Sequence, residues 1–268
     1  MTRRSSFHPS ERHPRLFSRS ADGRWEWWTE ACGEPPPVYG ERWAYTGGRA
    51  VRAIDPHRSK LGAALLRGWR GRLPRVGERW LYLGAASGTT ASHVADLLGP
   101  HGHLYAVERS AGPFARLLSL ADRWPPLLPI LGDARRPREL LAWIPPVDGL
   151  YVDVAQPDQA EIVAEAAAWF LADGGALLFA LKASSVARGP SPEDHLRATV
   201  DSLAASFQLD RPIDLAPFHR VHYFLSGEYR PSFDRRAQSS RGPRTDWRPG
   251  GARDGGPPRP DRPRLRVR

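Results

Sequence analysis

The stretch "RWLYLGAASGTTASHVADLL", Arg79 to Leu98, decides the fold. After Arg79 comes an unbroken run of aromatic and aliphatic residues, the pattern of a strand buried on both faces. The run stops at "GAASGTT", Gly84 to Thr90, where small residues let the backbone turn sharply and let a ligand approach it closely. Ala91, Val94, Ala95 and Leu98 then recur at helical spacing, so the turn feeds a helix whose first free amides point back at the loop. Strand, glycine turn and helix in this order begin a nucleotide-type α/β unit. The Gly-x-x-x-Gly turn itself is shared by dinucleotide and S-adenosylmethionine binders and does not choose between them.

Outward from this unit, "HLYAV", "LLPIL", "VDGLYVD" and "GALLFALK" read as further strands, with the helical patterns "PFARLLSLADRW" and "QAEIVAEAAAWFL" among them. Such alternation predicts a Rossmann-like parallel sheet covered by helices on both faces, its ligand at the carboxyl ends of the strands. "FQLDRPIDLAPFHRVHYFLSGEY" predicts two more strands that close the sheet as an antiparallel pair. On the N-terminal side, "RWEWW", "PVYGERWAY" and "RAVRAI" predict strands of a small β domain, in which Trp25, Trp27 and Trp28 either pack or form an interaction face. The expected organisation is a flexible terminus at 1–12, the small β domain at 13–56, the α/β domain at 57–230 and a disordered tail at 231–268.

Composition sets the outer limits. With 268 residues and 41% hydrophobic content, the chain can bury a sizeable core. The single cysteine, Cys32, precludes an internal disulfide, no Cys/His group has zinc-ligand spacing, and no apolar run reaches the roughly 18 residues of a membrane span. Neither a metal nor a membrane is therefore expected. Most of the net charge of +10 falls between Arg230 and Arg268, where 12 Arg face 4 Asp. The 7 Pro and 5 Gly of that segment, with few aliphatic side chains, predict a disordered arm whose arginines, Phe233 and Trp247 suit contact with RNA.

Of the 39 basic side chains only Lys60 and Lys182 are lysines. Arginine keeps its proton at physiological pH, whereas a lysine can give one up where burial or a second cation disfavours the charge. Lys182 ends the strand "LLFALK" and Asp153 ends its expected neighbour, so the two should meet at the pocket mouth, as proton-handling groups or as a plain ion pair. Lys60 opens an apolar helical stretch, and His222 lies in the closing pair. Glu108 ends the second strand 24 residues past Gly84, where a carboxylate can accept both hydroxyls of a ribose. Asp133 and the Ala134 amide end the third strand, within reach of an adenine. Methyl transfer to a sugar hydroxyl needs such a set, because the hydroxyl is a poor nucleophile until a base takes or polarises its proton. A dehydrogenase also fits these strand ends, since NAD presents the same adenosine.

As successive blocks, "VYGERW", "HRSKLGAALL", "LYLGAASGTTASHVAD", "LYAVERS", "PILGDARRP", "LYVDVAQPDQAEI", "GGALLFALKASS" and "PFHRVHYFLSGEY" closely resemble fibrillarin, particularly its archaeal form, from Val38 to Tyr229. The resemblance implies a S-adenosylmethionine-dependent 2′-O-methyltransferase for ribosomal and transfer RNA. It implies guidance by box C/D RNA in a particle with a Nop-domain scaffold and a kink-turn-binding ribosomal-type protein, cytoplasmic in an archaeal-type cell and nucleolar in a eukaryote. It carries the catalytic set onto Lys60, Asp153, Lys182 and His222. Cofactor contacts fall on Gly84, Ala85, Ala86, Ser87, Gly88, Thr89 and Thr90, then on Glu108, Arg109, Asp133, Ala134, Asp153 and Gln156. Three departures stand out: Val221 where the family commonly has Asp, "GDAR" for "EDAR", and "IDPHRSK" for "WNPxRSK". The first and third motivate an alternative, a particle subunit without turnover; methylation of a protein side chain is a further one. The basic tail is C-terminal, unlike the N-terminal Gly/Arg arm of eukaryotic fibrillarins, and takes no role from the resemblance.

Overall fold

The computed structural model describes residues 6–21, 23–183 and 191–231. Strands β1 (Phe7–Ser10), β2 (His13–Ala21), β3 (Arg24–Glu30), β4 (Trp43–Thr46) and β5 (Arg49–Ala53) form an antiparallel sheet in the order β1-β2-β3-β5-β4. Its own apolar face gathers Phe17, Trp28, Val51 and Ala53. β1 lies inside the segment expected to be flexible, and the reason is local burial: the Phe7 ring sits edge-on against Trp28, 5.0 Å between centroids. "PVYGERWAY" gives a strand only from Trp43, because the Glu41 carboxylate accepts the amides of Val38 and Tyr39 and curls the chain before it. Trp28 is buried and Trp27 partly so, whereas Trp25 faces outward.

The remaining elements are α1 (Lys60–Leu66), β6 (Arg79–Leu83), α2 (Thr89–Leu98), β7 (His103–Glu108), α3 (Ala111–Ala121), β8 (Leu127–Leu131), a 3-10 turn (Pro137–Leu140), β9 (Val147–Val152), α4 (Gln159–Phe170), β10 (Leu171–Lys182), α5 (Pro192–Leu203), β11 (Phe207–Leu209), β12 (Ile213–Asp214) and β13 (His222–Tyr229). Among the described residues they build one sheet in the order β11-β13-β10-β9-β6-β7-β8, with β12 also on β13. β10, β9, β6, β7 and β8 run parallel. β13 is antiparallel to β10, and the closing segment supplies three strands rather than two, since β11 and β12 pair with different stretches of β13.

Side chains alternate across this sheet with period two. Trp80, Tyr82, Tyr151, Leu178, Ala180 and Phe224 pack on the face covered by α1, α2 and α3. Leu81, Leu83, Leu150, Val152, Leu177, Phe179 and Leu225 pack against α4 and α5 on the other. The alternation fixes what lies beyond the last buried residue of each strand. Asp153, Lys182 and His222 are in step with Tyr151, Ala180 and Phe224, which places all three on the face of α1, the helix that Lys60 opens.

No helix among the described residues is long and apolar enough to cross a membrane, and none of their His, Cys, Asp and Glu groupings of three or more could hold a metal. The basic tail from Ser232, with Phe233 and Trp247, lies outside the described residues.

Candidate active site at the strand ends

The strand order reverses between β6 and β9: the chain leaves β6 toward β7 and β8, then returns to lay β9 and β10 on the opposite edge. Such a reversal leaves a crevice beyond the carboxyl ends, the usual ligand position in open α/β sheets. Gly84 and Asp153 face each other across it. A Cβ on Gly84 would lie 2.4 Å from the Asp153 carbonyl oxygen, and its φ of +82° is left-handed, so both space and backbone demand glycine. Gly88 caps α2 without a side chain, leaving first-turn amides to the loop.

The expected cofactor residues follow along the edge. Glu108 accepts the amides of Ala86 at 2.9 Å and Ser110 at 2.7 Å, tying the glycine loop to the end of β7. A carboxylate offers about four acceptor positions, so two stay available. Asp133 is held by the Arg135 guanidinium at 2.6 Å. That hydrogen bond pulls its pKa down to about 2, with the charge of exposed Arg109 acting in the same sense. Ala85 and Ala134 are buried, and Ser87 and Thr89 partly so. Gln156 has a buried Oε1 without a hydrogen-bond partner. Thr90 points elsewhere: its buried hydroxyl donates to Ser59 Oγ at 3.2 Å, and Ser59 caps α1 by accepting the Gly62 amide, so Thr90 supports the helix that carries Lys60. Two carboxylates on neighbouring strand ends, a glycine loop and an unpartnered amide oxygen fit a nucleoside cofactor.

The catalytic candidates come together, with one correction to their pairing. Asp153 Oδ2 accepts from Lys60 Nζ at 2.9 Å, not from Lys182. The cause is a split in the sheet: β9 and β10 pair only as far as Val152 and Phe179, and the Asp153 amide continues instead onto Leu83 of β6. The Lys182 amine makes no hydrogen bond or ion pair with any described residue. Lys182 and His222 are directly opposite on antiparallel strands. The Lys182 N–H and C=O turn away from β13 toward Gln159, so this is a non-hydrogen-bonded pair, the kind whose side chains approach most closely.

His222 Nδ1 lies 2.7 Å from the Arg220 carbonyl, so Nδ1 carries the proton and Nε2 keeps its lone pair. Burial lowers the pKa of this imidazole; the charges of Lys60 and Lys182 add to that, while the Arg220 carbonyl and Asp153 oppose it. His219, 5.8 Å away between ring centroids, is lowered chiefly by burial and next by Lys60. Val221, directly before His222, has φ +52°, a left-handed backbone that Asp tolerates and a β-branched residue does not without strain.

Two hollows lie among the described residues. One of about 490 Å³ includes Ser87 of the glycine loop and is otherwise lined by residues such as Arg116 and Arg123; the other, about 420 Å³, is lined by Arg67, Arg211 and Tyr223, the last on the opposite sheet face from His222. Neither contains the Lys-Asp-Lys-His group, which occupies the partly exposed rim. Ser59 and Gln159 are the supporting residues that sequence reasoning missed. A serine directly before an apolar helical run was a legible capping signal for the first.

A parallel sheet with a glycine loop at its switch point, acidic strand ends beside it and an amine-rich rim has the plan of a nucleoside-cofactor enzyme, and similarity to proteins named as methyltransferases places it among the S-adenosylmethionine-dependent ones. A profile of the fibrillarin family matches residues 7–231. A fibrillarin-like rRNA/tRNA 2′-O-methyltransferase of Staphylothermus marinus is 40% identical over 194 residues, 72% of this chain and 83% of that protein. Among solved structures, Aeropyrum pernix fibrillarin with natively bound S-adenosyl-L-methionine superposes with a TM-score of 0.74 at 38% identity, covering 83% of this chain and 97% of that one. A chain of a fibrillarin/Nop5p complex gives 0.70 at 36% identity, over 79% and 97%. The chain belongs to the fibrillarin family.

Proposed function

We propose that this protein methylates ribose 2′-hydroxyls of ribosomal and transfer RNA with S-adenosylmethionine, directed by a box C/D guide RNA on a Nop-domain scaffold with a kink-turn-binding protein. One observation carries the reading: Asp153, Lys182 and His222 project from three strand ends onto the single face that α1 covers with Lys60, beside the glycine loop. When bound, S-adenosylmethionine supplies a methyl carbon on a positively charged sulfur, which an oxygen nucleophile can accept. Glu108, Asp133 and Gln156 are the side chains that would hold its adenosine end, with the amides of the glycine loop.

The remaining work falls to this chain's own groups. Lys182, unheld by any described carboxylate, takes or polarises the proton of the 2′-hydroxyl. Lys60 and Asp153 neutralise each other at 2.9 Å and form a fixed wall beside it. His222 offers an Nε2 acceptor at the same rim, its orientation set by the Arg220 carbonyl. Sequence choice is left to guide pairing.

The test is methyl transfer from labelled S-adenosylmethionine in a reconstituted guide complex. Lys182→Arg keeps the charge but cannot serve as a base. Its rate should fall by about 10²- to 10⁴-fold, with cofactor affinity retained. An active Lys182→Arg protein would contradict the assignment, and a wild-type complex that binds cofactor without labelling RNA would point to a subunit without turnover.

A further inference from the structure

The residue that positions Lys182 is not among those the family resemblance supplies. β10 ends at Lys182. One edge of that terminus is covered by β13, but the other is deserted, because β9 pairs with β10 only as far as Phe179. A strand end beside a ligand crevice would thus expose one N–H and one C=O, groups that must find partners when buried. Gln159 supplies both. Its Oε1 accepts the Lys182 amide at 2.9 Å, and its Nε2 donates to the Lys182 carbonyl at 3.1 Å.

A primary amide is the one side-chain group that presents an acceptor and a donor in the geometry of a peptide bond, so Gln159 stands in for the missing strand. Only 2% of its surface is exposed, and it is the first residue of α4, directly after the loop that carries Asp153 and Gln156. The same short segment therefore holds the partner of Lys60, the unpartnered amide oxygen and the clamp on Lys182. We infer that Gln159 is a positioning residue for methyl transfer: its amide locks the Lys182 backbone so that the amine is held opposite His222. This rests on the reading of Lys182 as the proton acceptor.

The chain offers an unusual probe, since Lys60 and Lys182 are its lysines. Protein grown with ¹³C-labelled lysine gives two side-chain signals, assigned with Lys60→Arg and Lys182→Arg. In Gln159→Met, which keeps the volume but removes both hydrogen bonds, kcat should fall about tenfold or more while KM for S-adenosylmethionine changes by less than about twofold. The Lys182 signal should move or broaden and the Lys60 signal stay put. Gln159→Glu, which keeps the acceptor but sets an oxygen against the Lys182 carbonyl, should act in the same direction. An unmoved Lys182 signal with unchanged kcat overturns the inference. So does a loss of activity in both variants accompanied by shifts of both lysine signals and a lowered melting midpoint, because Gln159 would then serve the fold alone. A moved Lys182 signal with unchanged kcat also overturns the positioning role, since the clamp would then not matter to transfer, whereas full activity of Lys182→Arg would sink Lys182 as the proton acceptor, which separates the two readings.

Discussion

Two charged clusters of similar composition lie in this molecule, and they do opposite things. Where the small sheet meets α2, Arg52 reaches Asp96 at 2.6 Å, Glu41 at 2.8 Å and Ser92 at 2.7 Å, with the Arg52, Glu41 and Asp96 side chains at 0% exposure. Asp96 also accepts from Thr29, the Cys32 amide and the Trp124 indole, so all of its acceptor positions are filled. His93 lies between Thr29 and Tyr39, its pKa lowered well below the ordinary value by burial and by Arg52. At the rim, Lys60 and Asp153 are 23% and 19% exposed, and each keeps unused hydrogen-bonding capacity. The saturated cluster joins the two sheets; the unsaturated one has valences left for a substrate. On the proposed reading of the rim, saturation and water access, rather than residue type, separate structural charge from reactive charge.

The comparison can be broken most forcefully at Asp96. Asp96→Ala leaves buried Arg52 with Glu41 as its remaining carboxylate and strips Thr29, the Cys32 amide and the Trp124 indole of their acceptor, so it should lower unfolding free energy by about 3–5 kcal/mol, read from urea denaturation. A loss under about 1 kcal/mol would show that water reaches the cluster. Acidity probes the same region. His13, buried beside Arg15, is lowered to about 4, burial being the main cause. Below about pH 6.5 the unfolded chain takes up a proton that the folded imidazole refuses. Stability should therefore drop as pH falls from about 6.5 to about 4 and level off below, by at most on the order of 3 kcal/mol for this residue. His93 adds in the same direction, and denaturation midpoints of His13→Gln at neutral and acid pH should show a shallower slope.

Asp153→Asn sharpens the contrast from the other side. Its partly exposed pair should be worth about 1 kcal/mol or less to the fold, although its loss should cripple methyl transfer; a large stability loss would make the rim a structural cluster after all. The smallest effect is expected at Arg136, whose pair with Glu139 leaves side chains 66% and 64% exposed. Arg136→Ala should change stability by no more than about 0.5 kcal/mol, which sets the floor against which the other variants are read.

Much of the site was readable before the coordinates because strand ends are local features. The apolar run before Gly84 marks β6, and Glu108, Asp133, Asp153 and Lys182 each stand at the end of such a run. Asp96 was not readable as anything but a polar residue within an apolar helix, since its partners come from positions 29, 32, 52 and 124. Gln159 hid for the same reason: its role depends on β9 parting from β10. The sequence points Asp153 to Lys182 because a strand pattern does not show where neighbouring strands part; the partner is Lys60. β1 was missed because four residues carry too little pattern until Trp28 offers Phe7 a surface.

From the chain alone came the alternating α/β order, the glycine turn, the face each strand residue takes and the scarcity of lysine. These are local or periodic properties, set by backbone sterics and by the separation of apolar from polar side chains along a helix or strand. The tertiary structure alone decided which carboxylate neutralises which cation, which nitrogen of His222 carries the proton, and what closes the bared edge of Lys182. Hydrogen-bond partners and desolvation depend on groups far apart in sequence, and only folding brings those groups within 3 Å of one another.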